Sequence, residues 1–151
     1  MAGTVELNIN NYGIPGEGST IKELRFLCAA DSSDASFPAT STGTIAGAPG
    51  NSTSFTKLIQ GWFLLKVNVN PGAVAPTVNS NVFFKDGDAI DLLGGAGENL
   101  IHDTGSKAAR PLLNGKELSQ PIIGDMIFTI TGNAVNSALV VVKFIFTIVP
   151  V

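Results

Sequence analysis

The residues with the clearest chemical potential stand together in one short stretch, Asp103-Thr104-Gly105-Ser106. An aspartate in such a turn can be one of two carboxylates that share a proton and activate a water molecule for hydrolysis. A chain of 151 residues supplies one such carboxylate and would have to dimerise to supply the second. The stretch therefore raises the hypothesis of hydrolysis centred on Asp103.

The spacing around this stretch argues against that hypothesis. The tetrapeptide is that of the aspartic proteases, and Ile122-Ile123-Gly124 resembles the hydrophobic-hydrophobic-Gly element of the same family. In the single-lobe retroviral type, several strands and a glycine-rich flap separate the two elements, but only 21 positions separate Asp103 from Gly124. His102 stands where an apolar residue is expected. Because a short motif without its structural context is weak, we interpret Asp103-Thr104-Gly105 as a turn. A dimeric aspartic protease is kept as a remote alternative.

The other candidates for catalysis or metal binding are weaker still. His102 is the only histidine, so one chain can form neither a histidine-based metal cluster nor a Ser-His-Asp triad. Asp86, Asp88 and Asp91 lack the ligand spacing of an EF-hand, and Asp86-Gly87 suits a tight hairpin turn. We therefore predict a protein that is not an enzyme, with no catalytic residue, no metal ion and no cofactor.

Strand patterns dominate the elements that would position these residues. Residues 4–10 alternate between apolar and polar side chains, as a half-buried strand does. Residues 20–30 fit a strand or a helix that starts with a capping box at Thr20 and Glu23, and we favour the strand. In residues 59–70 the alternation places Leu65 and Val67 on one face. Further strands are predicted at 81–85 and 88–93, as a hairpin, and at 126–131 and 139–149.

The last predicted strand, 139–149, is apolar on both faces and is interrupted only by Lys143 and Thr147. This pattern predicts a strand covered on both sides, either in the centre of a sandwich or against a partner subunit. Seven or eight short strands with Gly/Pro turns and little helix predict an all-β fold. We expect one antiparallel β-sandwich or jelly-roll-like domain over residues 1–151, with long loops and an extended arm.

The expected arm is the low-complexity segment 31–56. It is rich in Ser, Thr, Ala, Gly and Pro, and it carries no charge from Ala35 through Thr56. A structureless segment of this length is unusual inside a compact domain. It could be a surface loop or an arm that lies on a neighbouring subunit, and the sequence leaves both open.

Composition limits the partners. Charged residues make up 14% of the chain, against about 25% in an ordinary soluble domain. Much of the surface must therefore be uncharged, which predicts self-association. The net charge of −3 provides no basic stripe for phosphates, so we expect no nucleic-acid partner. The chain start resembles no secretory signal, and no segment reaches 18 unbroken apolar residues, so we expect no membrane partner either.

Three segments resemble small β-rich virion proteins of tailed bacteriophages. They are STIKELRFLCAADSSDASFP from Ser19, TSFTKLIQGWFLLKVNVN from Thr53 and NVFFKDGDAIDLLG from Asn81. In such proteins an LRF…AAD strand and loop leads to a hydrophobic strand and then to an FFxDG hairpin. The resemblance implies a capsid decoration (cement) protein that lies over junctions of the major capsid protein. It further implies a homotrimer located in the virion, which is assembled in the host cytoplasm.

A second class stays open, a ligand- or carbohydrate-binding β-sandwich module associated with a phage tail. Such a module would present exposed aromatic side chains, and only Trp62 and Tyr12 qualify beside nine phenylalanines expected mostly in the core. For the assembly function, Trp62 could anchor an interface, although packing in the core is the simpler interpretation. We predict these interface residues: Val5, Leu7, Ile9, Phe37, Ile45, Phe55 and Trp62.

Overall fold

The computed structural model describes residues 3–13, 16, 18–39 and 54–149. These ranges contain ten strands, and every strand pair is antiparallel. The predicted all-β antiparallel class is confirmed. The strands are β1 (Thr4–Gly13), β2 (Ser19–Ala29), β3 (Phe63–Pro71), β4 (Asn81–Lys85), β5 (Lys107–Ala109), β6 (Leu112–Leu113), β7 (Lys116–Glu117), β8 (Gln120–Pro121), β9 (Ile127–Thr131) and β10 (Leu139–Thr147), and a 3₁₀ helix spans Ser54–Leu58.

One six-stranded sheet carries most of the fold. Its order is β1-β2-β10-β3-β5, and β8 also pairs with β3. The pairs β4–β9 and β6–β7 form two smaller sheets. Residues 20–29 lie in β2, which pairs with β1 on one side and β10 on the other, so the strand interpretation of this stretch is confirmed and the helix is excluded.

Phenylalanine rings join the large sheet to the β4–β9 pair. Phe26 of β2 stacks on Phe128 of β9 with ring centroids 4.9 Å apart, and Phe84 of β4 stacks on Phe144 of β10 at 4.5 Å. All four rings are at most 1% exposed. Contacts between aromatic rings contribute about 0.5–1.5 kcal/mol each beyond the area they bury, so this cluster fixes the two sheets against each other.

A β-bulge changes which residues of β3 face the core. The sequence predicts Leu65 on the same face as Val67, but Leu64 is fully buried instead and Leu65 is only half-buried. The cause is a register shift between Ile145 and Phe146 of β10, which leaves Leu65 without a partner. An extra residue in one strand reverses the alternation on the two sides of the bulge, and so the predicted pattern is wrong at this point.

The predicted hairpin of 81–85 with 88–93 forms only in part: Lys85 and Asp91 make a single antiparallel bridge, and the Leu92 N–H donates to the Phe84 carbonyl oxygen at 2.7 Å. Residues 88–93 form no strand, and the ladder partner of β4 is β9. The turn at Asp86 forms, but residues 92–99 continue as turns. The Asp91 carboxylate accepts hydrogen bonds from the backbone N–H groups of Phe84, Leu93 and Gly95 at 3.0–3.2 Å. Backbone N–H groups that donate to a side chain are not free to donate to a neighbouring strand. The Asp91 carboxylate therefore favours turns over a β-strand at this point.

The described parts of segment 31–56 pack on the chain's own core. At its start, the hydroxyl and backbone N–H of Ser33 donate to the Asp31 carboxylate at 2.6 and 2.7 Å, and they lower the pKa of that carboxyl below its ordinary value. Phe37 is 9% exposed, and Phe55 is fully buried. Residues 40–53 lie outside the described residues, and the expected arm stays a prediction for them.

Strand β10 lies in the middle of the large sheet, and its two faces differ. The inward residues Val140, Val142, Phe144 and Phe146 are at most 1% exposed. The residues between them, Val141, Lys143 and Ile145, are half-buried. The sequence predicts that both faces of this strand are buried. Within this chain, only one face is fully buried. The second face is one that a partner could cover.

Candidate functional site

The face of the six-stranded sheet that points away from β4 and β9, here called the outer face, is the candidate site. Alternate residues of each strand point to it, and the register between strands sets them in rows. Each row crosses β1, β2, β10 and β3 in that order. Three rows are Glu6, Leu27, Val141 and Asn70; then Asn8, Arg25, Lys143 and Asn68; then Asn10, Glu23, Ile145 and Lys66.

An apolar groove of about 250 Å³ lies at one end of this face. Leu27, Ala29, Leu139, Val141 and Gly72 are among its lining residues. Gly72 approaches closely: its N–H donates to the Leu139 carbonyl oxygen at 2.7 Å, and a Cβ at this glycine would lie 2.5 Å from the Leu139 Cβ. A side chain at position 72 would therefore require the groove wall at Leu139 to shift.

A basic pair occupies the middle of the outer face. Arg25 and Lys143 are directly opposite each other on neighbouring strands, and both are half-buried. Neither makes an ion pair with any residue that the structure describes. Like charges directly opposite in a sheet are destabilising, and the nearest carboxylates of this face lie only diagonally, Glu6 to Arg25 and Glu23 to Lys143. The arrangement suits a negatively charged group supplied from outside the chain.

A second groove of about 260 Å³ lies beside the basic pair. Lys143, Lys107, Ser106, Asn68 and Asn70 are among the residues that line it. The Asn68 Oδ1 atom is buried and has no hydrogen-bond partner in the described part of the chain. An unsatisfied buried acceptor costs about 1–3 kcal/mol, so this groove could accommodate a hydrogen-bond donor as well as an anion.

A further apolar row lies at the opposite end of the outer face. Tyr12 is 53% exposed, and Ile21 and Phe63 are half-buried. Ile148 and Val149, which follow β10, are also exposed. The row crosses the sheet in the order Tyr12, Ile21, Thr147, Phe63 and Pro121. The basic pair thus lies between two apolar regions.

Most of the predicted interface residues lie elsewhere. Val5, Leu7, Phe37 and Phe55 are buried in the chain's own core, where their side chains have no free surface to offer a partner. Ile9 is half-buried at the edge of that core.

Ile45 lies outside the described residues. Trp62 is half-buried and packs against the core. The Lys22 Nζ atom lies 4.9 Å from the centroid of the Trp62 ring and donates to the Leu58 carbonyl oxygen at 2.9 Å. Trp62 is therefore engaged within the chain by a cation–π contact.

The tetrapeptide of the protease hypothesis lies in an exposed loop. The Asp103 side chain is 44% exposed, and its Oδ1 lies 3.0 Å from Nδ1 of His102. Thr104 N–H donates to the same His102 nitrogen at 3.1 Å. Gly124 is tied instead to Gln60, by hydrogen bonds of 2.7 and 2.8 Å. The bonds of the two motif elements therefore run to different neighbours, and none of them joins one element to the other.

Carboxylates that could be imagined as metal ligands are engaged by backbone donors. Asp86 Oδ1 accepts the N–H groups of Asp88 and Ile90 at 2.9 and 3.0 Å. Over the described ranges, no group of three His, Cys, Asp or Glu side chains is placed to hold a metal ion. Burial raises the pKa of the Cys28 thiol, which keeps it protonated and unreactive.

The basic pair is the feature that sequence reasoning missed. Arg25 was one of several scattered cations in the sequence, and Lys143 was one interruption in an apolar strand. The signal that could have found the pair is that each residue is a charged side chain flanked by apolar residues in a predicted strand. The pairing itself depends on the β2–β10 register, which brings together residues 118 positions apart.

No helix in the described part of the chain is both long enough and apolar enough to span a membrane. No protein-family model, no curated protein and no solved structure matches the chain. The chemistry of the outer face is therefore the basis for a functional proposal.

Proposed function

We propose that this chain is a non-enzymatic structural protein of a virion, a capsid decoration (cement) protein that bridges subunits of the major capsid protein. One observation carries the proposal: the outer face of the central strand β10 is apolar at Val141 and Ile145 and only half-buried. The solvent face of an antiparallel sheet is ordinarily polar. Apolar side chains left half-buried on such a face, on either side of the basic pair, are typical of a surface that another protein covers.

The outer face also indicates the chemistry of the capsid surface that would bind it. The groove at Leu139 and Val141 would take apolar side chains. The adjacent Arg25 and Lys143 would bind carboxylates, because they have no anionic partner among the described residues. Electrostatic complementarity of this kind sets specificity and orientation more than affinity. The bound capsid surface would therefore carry an apolar ridge beside an acidic cluster.

Self-association is part of the proposal. Only 14% of the residues are charged, which supports contacts between copies. The resemblance to phage virion proteins implies a trimer over the junctions of the capsid lattice. Its residence in the virion follows from the same resemblance.

Quantification of the chain in virions tests the function. Virions of the virus that encodes the chain are purified, and mass spectrometry measures its copy number relative to the major capsid protein. We expect a fixed ratio close to that of a lattice component. The absence of the chain from purified virions would refute the proposal.

A binding experiment tests the role of the outer face. Capsids prepared without the chain are mixed with the purified protein and sedimented. Val141→Glu should abolish co-sedimentation, because it replaces an apolar side chain of the groove, which Glu6 already borders, with a second carboxylate. Asn136→Glu, which is exposed in a turn, is the matched control and should bind as the wild type does.

The ligand-binding alternative is favoured by the second groove, where Asn68, Asn70 and Ser106 offer hydrogen-bonding groups. None of the described residues that line it is aromatic, and so no ring is available there for a sugar to stack on. A glycan array distinguishes the two functions. Saturable binding to a defined glycan that Asn68→Ala removes, without capsid binding, would favour the tail-associated module.

A further inference from the structure

Strand β1 is an open edge of the large sheet. It pairs with β2 on one side, and no residue in the described ranges pairs with its other side. In a strand of ten residues, about half of the backbone N–H and C=O groups point towards each neighbour. Unpaired groups along a strand edge are a template for pairing with another strand.

The opposite edge of the sheet is protected, and β1 is not. There, β3 is covered by β5 and β8, which are three and two residues long. Lys107 stands in β5 and Pro121 in β8, and both residue types discourage further pairing. From Thr4 to Tyr12, by contrast, β1 has no proline, no lysine or arginine and no bulge. Its one charged residue is Glu6.

We propose that β1 pairs in antiparallel fashion with β1 of a second copy of this chain, about a two-fold axis at Asn8, a contact separate from the three-fold contact of the proposed trimer. The biological role of this contact rests on the proposed function, but the pairing itself does not. Such a contact is isologous, because the same strand of both copies forms it. Each side chain must therefore be compatible with the residue at the same distance on the other side of Asn8 in the second copy. The sequence of β1 meets that condition.

The register centred on Asn8 aligns the strand with itself over residues 4–12. It places Leu7 opposite Ile9 of the partner subunit, which covers the half-buried Ile9 with an apolar neighbour. It places Glu6 opposite Asn10 of the partner subunit, so that no like charges meet. A register centred on Glu6 would set two carboxylates against each other, which is destabilising.

This pairing would leave the capsid-binding surface free. Residues directly opposite each other in a β-ladder point to the same side of the sheet. The outer faces of the two copies would therefore lie on one side of a continuous sheet, with both Arg25–Lys143 pairs presented in the same direction. The contact joins two copies of the outer face into one larger surface.

Charge substitutions test the pairing. Asn8→Glu sets two carboxylates opposite each other at the axis, while within each chain the new carboxylate lies opposite Arg25, which supports the fold. We expect the Kd of self-association, measured by sedimentation velocity over a dilution series, to rise by about 1.4- to 5-fold. Asn10→Lys would face Glu6 of the partner subunit and should leave the Kd unchanged or lower. Asn136→Glu, the same substitution in an exposed turn, should have no effect.

Disulfide cross-linking tests the register. Residues directly opposite in antiparallel strands have Cβ atoms roughly 4.5–5.5 Å apart, close to the range of about 3.5–4.5 Å that a disulfide needs. We expect Asn8→Cys to form a covalent dimer under mild oxidation. Asn10→Cys should not, because it faces Glu6 of the partner subunit. The native Cys28 is buried and does not compete.

The outcomes separate this inference from the proposed function. A wild-type monomer at all concentrations, or an oligomer unchanged by Asn8→Glu, overturns the β1 pairing. A trimer that ignores Asn8→Glu and still binds capsids overturns the pairing alone. A β1-dependent dimer that is absent from virions supports the pairing and refutes the function. Equal cross-linking of Asn8→Cys and Asn10→Cys overturns the register.

Discussion

The inner and outer faces of the six-stranded sheet are built from the same strands and have different roles. On the inner face, Phe26 and Phe144 are fully buried against rings from β4 and β9. On the outer face, Leu27 and Ile145 stand one residue away from them and are half-buried. The inner face is apolar and packs within the chain, whereas the outer face has apolar residues on both sides of a central basic pair and is only half-buried.

This difference shows that apolarity alone does not identify a core. On the outer face a cation interrupts the middle of each central strand, at Arg25 and Lys143. On the inner face the one cation of these two strands is Lys22, which lies near the start of β2 beside Trp62. Charged groups can be tolerated in an interface where a partner supplies the opposite charge. Substitutions on β10 and its neighbours can therefore separate folding from assembly.

The largest expected effect is on the inner face. Phe144→Ala removes a fully buried ring that contacts Phe26, Phe84 and Phe128, and it leaves a cavity. We expect a loss of about 3–5 kcal/mol in the free energy of unfolding, measured by urea denaturation. A loss below about 1 kcal/mol would mean that the core is not packed as described.

Gly72→Ala tests a position where the outer face is constrained by the backbone. The new Cβ would lie 2.5 Å from the Leu139 Cβ, so the groove must move to admit it. Overpacking of this kind costs about 1–3 kcal/mol, and we expect a loss of stability in that range by thermal and urea unfolding. An unchanged stability would show that the groove floor is adaptable.

Two adjacent residues of β10 allow a matched comparison of the faces. Val142→Thr buries a hydroxyl in the core, and we expect a loss of about 1–3 kcal/mol. Val141→Thr makes the same change on the outer face and should cost less than about 0.5 kcal/mol. Capsid binding, measured by co-sedimentation of the folded variants, should be weaker for Val141→Thr than for Val142→Thr. Equal losses of stability would remove the distinction between the faces.

The smallest expected effect is a gain. Lys143→Gln removes one of two like charges that face each other, and we expect the free energy of unfolding to rise by roughly 0.2–1 kcal/mol, less at high salt. Lys66→Gln, opposite the uncharged Ile145, is the control and should change little. Capsid binding by Lys143→Gln should weaken. A loss of stability in this variant would mean that attraction between Lys143 and the diagonal Glu23 outweighs the repulsion from Arg25.

Much of the fold could be predicted from local patterns. The alternation in 4–10 located β1, and the apolar run from Leu139 located β10, because a strand that buries one or both faces carries that period in its own residues. The bulge at Leu65 and the turns after Asp91 could not be predicted in this way. Each depends on a partner strand or on a carboxylate that takes backbone donors from another segment.

The candidate site was less accessible to sequence reasoning. Apolar residues such as Leu7 and Phe55 were predicted at an interface, but they belong to the chain's own core. Composition predicts that some apolar surface exists, and it does not say which residues form it. Their placement depends on which elements pack on which face.

By itself, the sequence determined the class of the protein: an all-β antiparallel chain with low charge and one strand apolar on both faces. Only the tertiary structure decided that Arg25 meets Lys143, that the groove opens beside Gly72, and that one edge of β1 pairs with no strand in the described part of the chain. The physical reason is that strand periodicity is a local property, since successive side chains alternate whatever the neighbour. Strand order and register are set by contacts between distant segments, and those contacts place the functional surface.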